Sequence, residues 1–236
     1  MDIEQFYREF VRSFDDTEIE DTYVSALEEF GIDTKDGSFG GVSAEDKELL
    51  EKGREEAYKK IVKYGGSGAK TVGSNGWWYV LGNGEFGSNH LHRAQVSYFG
   101  YGANLAEDSI YPHFTVLPDG SNLESDKKYI IHFEKGKLPE AEFFWSLTVY
   151  GLPSQYLTEN ELNRYMINSH DKGLYENEDG SIDIILQNTR PEDEKKLPNW
   201  LPTPKDEKYF DLTIRIYGPS KEQLDGVWEG PKVIAI

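Results

Sequence analysis

No cysteine occurs in the 236 residues. That removes a disulfide framework, a thiolate nucleophile and any Cys-ligated zinc or iron–sulfur centre. Basic residues are scarce as well: 25 Lys and Arg stand against 43 Asp and Glu, a formal net charge of −18. Phosphate binding needs a basic patch, so nucleic acid is excluded as a partner. Long apolar runs are missing too, and no stretch approaches the ~18 uncharged apolar residues of a membrane-spanning helix, so no membrane partner is expected. The first residues place Asp2 and Glu4 where a secretory leader would carry positive charge. No signal peptide is read there, and a soluble, cytoplasmic protein is the default expectation. A chain of this length buries roughly 70–75% of the surface its unfolded form exposes, enough to fold without covalent staples.

The acidity is concentrated at the start. Residues 1–64 hold 18 acidic and 9 basic residues, half of the total excess in about a quarter of the length. Ile3, Phe6, Tyr7, Phe10, Val11 and Phe14 recur at helical spacing, with Asp2 and Gln5 as a capping pair. Thr17 and Glu20 open a second helix, whose stripe Ile19, Tyr23, Leu27 and Phe30 runs to a stop at Gly31. Ser43 and Asp46 open a third, with Leu50, Ala57, Ile61 and Tyr64 on one face and Gly53 weakening it. Each stripe is narrow, so these helices are expected to lean on the rest of the chain or on a partner chain. The reading divides the chain into an acidic helical segment (1–64), a Gly/Ser-rich linker (65–76) and a β domain (77–236). Within the linker, Ser67-Gly68-Ala69-Lys70-Thr71 imitates a phosphate-binding loop but lacks both required glycines and follows a helix instead of a strand. No cofactor is expected.

Beyond the linker, aromatic and β-branched runs alternate with turns. Strands are expected at 77–81, 111–117, 129–133, 143–150, 182–187 and 212–217, with Pro118-Asp119-Gly120 and Asp179-Gly180 as turns. The run 143–150 is apolar on both faces, the mark of a central strand covered on two sides. Short strands without alternating helices point to an antiparallel β-sandwich, not a parallel α/β sheet.

Several phrases then occur in a fixed order: NGWW (75–78), RAQVSYFGYGAN (93–104), SIYP (109–112), PDGSNLESDKKYIIHF (118–133), AEFFWSLTVYG (141–151), NRYMINS (163–169), EDGSIDIILQN (178–188), NWLPTP (199–204) and LTIRIYGP (212–219). This series resembles the bacterial and algal-viral proteins of domain-of-unknown-function family 1214, the C-terminal partner of family 1254 in longer bacterial proteins. The resemblance spans about residues 70–236, and the helical lead-in also looks like the segment preceding the domain in relatives. It implies a mainly β, jelly-roll-like antiparallel sandwich with an N-terminal helical segment, and it supplies no catalytic residues. In longer relatives a β domain of family 1254 stands in front; this chain is too short to hold one, so a site formed between two such domains would be incomplete here.

Candidate chemistry follows from single residues. His90 and His92 would share a side of a strand and begin a metal site, but the run from Asn89 to Tyr98 reads better as a helix, where the two diverge by roughly 200°. They are weak metal candidates. His113 and His132 read as ordinary sheet histidines, and His170 lies in a polar turn. Ser146 sits in the most apolar strand, and no G-x-S-x-G elbow is present. Arg164 and Arg215, two of only seven arginines, stand beside aromatics in β segments. A buried guanidinium needs a carboxylate or a ligand. The bland account is an internal bridge to Asp or Glu; the sharper one is a clamp on a bound molecule, with Trp145, Tyr150, Tyr165 and Trp200 offering flat faces. Asn199 and Trp200 are expected in an ordered loop, where function gathers on a rigid sandwich.

Three functions remain open on this reading. The leading one is binding or processing of a small molecule or glycan in a pocket lined by Trp145, Tyr150, Arg164, Tyr165, Asn199, Trp200 and Arg215. The second is a structural or assembly protein forming a homo-oligomer through its N-terminal helices. The third is a hydrolase using carboxylate or His chemistry.

Overall fold

Asp2 and Ser43 begin their helices as their chemistry dictates: Oδ1 of Asp2 accepts from the Gln5 N–H at 2.8 Å, and Oγ of Ser43 from the Asp46 N–H at 3.0 Å. The computed structural model describes residues 1–12, 21–63 and 70–236. The proposed Thr17–Glu20 box, Phe14, Ile19, Tyr64 and residues 65–69 lie outside that description. The chain divides into two compact units, Met1–Tyr64 and Gly65–Ile236.

The first unit contains α1 (Ile3–Arg12), α2 (Asp21–Glu29) and α3 (Ala44–Lys63). Val11, Leu27, Ile32, Phe39 and Leu50 are buried together, with Ile3, Tyr7, Phe10, Phe30 and Val42 packed around them. The stripes of the three helices thus share a small core of their own within this unit. The missing contribution is the 30–43 connection: Ile32 and Phe39 close the core that the helix faces leave open, and Phe39 lies 5.7 Å from the Tyr7 ring. Gly31 ends α2 at φ +74°, and the Ile32 N–H reaches back to the Leu27 carbonyl at 3.0 Å. Ala57 and Tyr58, in the second half of α3, are exposed.

The second unit is mostly sheet. Its strands are β1 (Lys70–Val72), β2 (Tyr79–Leu81), β3 (Ser109–Ile110), β4 (His113–Phe114), β5 (Leu123–Glu124), β6 (Tyr129–Phe133), β7 (Ala141–Leu152), β8 (Met166–Asn168), β9 (Ile182–Gln187), β10 (Trp200–Pro202), β11 (Tyr209–Pro219) and β12 (Lys232–Ala235). Between them lie α4 (His90–Phe99), a 3₁₀ turn (Glu194–Asn199) and the short α5 (Lys221–Asp225). One sheet runs β3-β11-β7-β8, with β4 and β5 also pairing with β11; a second runs β10-β9-β6-β12; β1 and β2 form a small hairpin. All pairings are antiparallel except β10 with β9, which is parallel. That exception corrects the purely antiparallel expectation, and it shows that 200–202 is a strand and not a loop. The expected segment 111–117 shrinks to the two residues His113 and Phe114, which pair with Thr213 and Leu212 of β11.

Alternation builds the core. Trp145, Leu147 and Val149 on β7 and Phe210, Leu212, Ile214 and Ile216 on β11 join Tyr129, Ile131 and Phe133 of β6 and Ile182, Ile184 and Leu186 of β9 in one apolar cluster. Buried hydroxyls within it are satisfied: Tyr79 donates to the Gln223 carbonyl at 2.7 Å, and Tyr129 accepts from the Glu124 N–H at 2.9 Å. Residues 70–76 of the expected linker belong to this unit. β1 pairs with β2, and Asn75 Nδ2 donates to the Gly230 carbonyl at 2.8 Å. Gly76 is required there, since its φ is +85° and a Cβ would stand 2.5 Å from the Phe114 ring.

Leu147 is wholly buried at the centre of β7, whereas Met166 on β8 is about half exposed. Leu147→Ala is expected to cost about 2–5 kcal/mol in urea denaturation followed by tryptophan fluorescence. Met166→Ala is expected to change stability by no more than about 0.5 kcal/mol.

Candidate functional site

The strands that bury Leu147 and Ile214 on one side turn a polar row to the other. In the β7–β11 register, Ser146 faces Arg215, Thr148 faces Thr213 and Tyr150 faces Asp211. On the flanks, Met166 pairs with Thr148 and His113 with Thr213. A sheet face of this kind normally meets solvent, yet Ser146, Thr148 and Thr213 are each no more than 5% exposed. Their longer neighbours cover them. Arg215 bends back over the row, its Nη1 donating to Thr148 Oγ1 at 3.2 Å and its Nη2 to the Tyr150 hydroxyl at 2.7 Å. Its guanidinium also lies 5.5 Å from the Tyr150 ring centre, a cation–π distance. Thr213 Oγ1 and His113 Nδ1 share a hydrogen bond at 3.1 Å, and the His113 ring lies 5.0 Å from that of Trp78.

Two titratable groups in this cluster are displaced in opposite directions. Burial pushes the Asp211 carboxyl up to about 6 from 3.8, against a weaker downward pull from the Arg215 charge. Burial, and then the same Arg215 charge, pulls His113 down to about 4 from 6.5. Asp211 also has a buried carboxylate oxygen, Oδ1, without a hydrogen-bond partner among the described residues. Polar groups with shifted titration gathered on one face are the usual physical sign of a functional site.

The structure distributes the seven expected pocket residues over four places. Tyr150 and Arg215 meet in the outward cluster. Trp145 lies one residue out of phase with Ser146 and so faces the core, 6.0 Å from the Phe133 ring. Arg164, Asn199 and Trp200 tie the 3₁₀ turn and β10 together. Arg164 Nη1 donates to the carbonyls of Leu197, Pro198 and Trp200 at 2.8, 3.1 and 2.9 Å. Asn199 accepts from the Tyr175 N–H at 2.7 Å and donates to the Tyr175 and Asp183 carbonyls, both at 2.9 Å. Trp200 Nε1 donates to the Gln187 carbonyl at 2.8 Å. Tyr165, half-buried, directly precedes β8. Arg164 Nη1 is thus spent on backbone carbonyls, and among the described residues no carboxylate bridges the guanidinium. Among the described residues, none of Trp145, Arg164, Tyr165, Asn199 and Trp200 hydrogen-bonds to the Arg215 cluster.

His90 and His92 sit on α4, so helical geometry sends them to different sides. His92 is buried, with Nε2 3.1 Å from Asn83 Oδ1, and burial lowers its pKa. Among the described residues no group of three His, Asp or Glu is arranged to hold a metal ion. An open recess of about 460 Å³ lies on the outer side of the second sheet, with Ile130 and Ile185 among its lining residues. None of the expected site residues lines it. No described helix is long and apolar enough to cross a membrane.

Residues 108–221 match the family described as "Protein of unknown function (DUF1214)". The resemblance read over about 70–236 is therefore established over that narrower span, which contains both β7 and β11. The chain is similar in fold to the crystal structure of the VPA0106 protein from Vibrio parahaemolyticus, with a TM-score of 0.59 and 19% identity over 92% of this chain. It spans about half of that protein, 51% of its length. A putative uncharacterized protein from Burkholderia cenocepacia matches 54% of this chain and 29% of its own, at 18% identity and a TM-score of 0.34, too low to carry an argument. No curated protein matches the chain.

The two displaced groups oppose each other in acid. Asp211, whose folded pKa is raised, favours the folded state below about 4, and that contribution is lost as pH rises through about 6. His113, whose folded pKa is depressed, favours the folded state above 6.5, and that contribution is lost as pH falls through about 4. Between pH 4 and 6.5, Asp211→Asn should therefore make the melting temperature fall more steeply on acidification than in the unaltered protein. His113→Gln should make it fall less steeply. Identical slopes in all three proteins would refute the two shifts.

Proposed function

We propose that the β unit binds a small polar molecule on the outward face of β7 and β11, at Arg215, Asp211, Tyr150, Thr148 and His113. The observation that supports this most is Asp211 Oδ1, buried and without a partner among the described residues, on the same face as a guanidinium that bonds among those residues to neutral hydroxyls. Leaving a buried acceptor without a donor costs about 1–3 kcal/mol, so such an atom is explained best by a group that arrives from outside. Arg215 supplies a planar donor fork already oriented by Thr148 and Tyr150, which lowers the ordering cost of binding. The rings of Tyr150 and Trp78 offer apolar surface beside it, as sugar and aryl ligands require.

This reading keeps the small-molecule or glycan class expected from sequence and moves the site to the face that carries Arg215. The jelly-roll connectivity belongs to the same proposal. It is supported by the strand orders β3-β11-β7-β8 and β10-β9-β6-β12, in which neighbours in space are distant in sequence, and by the core common to both sheets.

A ligand that binds only the folded state raises the melting temperature by mass action, by about 2.7 kcal/mol of stability at a hundredfold excess over Kd. In a thermal-shift panel of sugars, polyols, carboxylates and amides, at least one class is expected to stabilise the protein. Arg215→Met is expected to abolish that response, and Lys128→Ala in the separate recess to preserve it. A panel without any stabiliser, or a response that survives Arg215→Met, would overturn the assignment.

A further inference from the structure

Most of the arginines have ordinary uses. Arg8, Arg12, Arg54 and Arg190 pair with Glu4, Glu9, Glu51 and Glu194 one helical turn away or less. Arg164 is surrounded by three backbone carbonyls. Arg215 differs from all of these. It is half-buried on a sheet face, and among the described residues it bonds to the Thr148 and Tyr150 hydroxyls and forms no ion pair.

A carboxylate is nevertheless within the same cluster. Asp211 lies four residues away on β11, its side chain on the same face, and its cross-strand neighbour is Tyr150, the residue whose hydroxyl Arg215 contacts at 2.7 Å. Arg215 and Asp211 share the Tyr150 neighbourhood, and the Arg215 charge is near enough to pull the Asp211 pKa down against the effect of burial. The two do not join, and Asp211 Oδ1 stays unpaired. The rigid pleat holds an anion-binding fork and an unsatisfied acceptor a short distance apart. Asp211 Oδ1 bears the desolvation cost of a buried acceptor without a donor among the described residues.

One molecule satisfies both groups only if it carries complementary chemistry at each end. The guanidinium calls for a planar anionic acceptor, which a carboxylate matches with two oxygens. Asp211 Oδ1 calls for a hydrogen-bond donor. Resting on the binding reading above, we infer that the ligand is a short carboxylate with a donor on the adjacent carbon, either a hydroxyl or an ammonium. Its carboxylate lies on Arg215 and its donor on Asp211. A neutral polyol leaves the guanidinium without an anion, and a simple carboxylate leaves Asp211 Oδ1 without a donor. The arrangement therefore discriminates by the simultaneous presence of both groups.

Calorimetric titration of the full chain with glycolate, glycine, acetate and ethylene glycol tests this. Glycolate or glycine is expected to bind at least tenfold more tightly than acetate or ethylene glycol, and the better of the two identifies the donor. Asp211→Asn is expected to weaken that ligand at least fivefold and to leave acetate affinity unchanged. Tyr150→Phe, which loosens Arg215, is expected to weaken all three carboxylates together and serves if Asp211→Asn does not fold. Acetate binding as tightly as both glycolate and glycine overturns the inference, as does an equal loss of acetate and glycolate affinity in Asp211→Asn. If a sugar or polyol still gives an Arg215-dependent thermal shift in that event, the binding face stands and only the ligand class fails. If nothing binds, both fail.

Discussion

The pairing of β7 with β11 is the constraint on which the β unit depends. Its register runs from Tyr209 opposite Leu152 to Tyr217 opposite Phe144, with one irregularity before Pro219. Because side chains alternate along a strand, this single register assigns every residue of two long segments to one of two environments. Leu147 and Ile214 go to the core; Thr148, Tyr150, Asp211 and Arg215 go to the other face. A slip of β11 by one residue would bury Arg215 in the core and turn Ile214 or Ile216 outward. Hydrophobic burial on one face thus enforces the position of the charged groups on the other, and the candidate site inherits the rigidity of the core behind it.

That rigidity explains how Asp211 Oδ1 without a donor and Arg215 without an ion pair, among the described residues, persist on one face. A flexible loop would let them collapse into a salt bridge. On a twisted, fully registered sheet the backbone cannot yield, and the cost is borne by the stability of the whole unit. Arg164 illustrates the opposite use of the same residue type. Its guanidinium fills the space between the 3₁₀ turn and β10 and satisfies carbonyls that would otherwise be orphaned. One arginine stabilises a connection, while the other bonds to two hydroxyls on an outward sheet face.

Much of the fold could be read from the residues. The strands at 129–133 and 182–187 appear with the expected bounds, and the capping pairs at Asp2 and Ser43 are formed. Strands with little sequence signature escaped: Met166–Asn168, Trp200–Pro202 and Lys232–Ala235 are three or four residues long and exist because a neighbour offers an open edge. Of the site, Arg215 and Tyr150 were legible because an arginine among aromatics in a strand demands an explanation. Asp211 and Thr213 were not, although the alternation Asp211-Leu212-Thr213-Ile214-Arg215-Ile216 places all three polar residues on one face. The signal lay in the parity of the strand, and considering Arg215 in isolation hid it. Parity also explains Trp145, whose aromatic character fits a pocket but whose position beside Ser146 commits it to the core. His113 joins the cluster only through pairing with a strand a hundred residues later, which no local pattern reveals.

The central claim is that a fixed register holds Asp211 in a buried, unsatisfied position beside, but not bonded to, Arg215. The direct measurement is a pH titration of the Asp211 carboxyl carbon by NMR on selectively labelled protein. The account predicts a midpoint near 6, moving further upward when Arg215 is replaced by Met and its favourable charge is lost. A midpoint at or below the ordinary 3.8 would mean that the carboxylate is solvated or paired with the guanidinium, and the site described above would not exist.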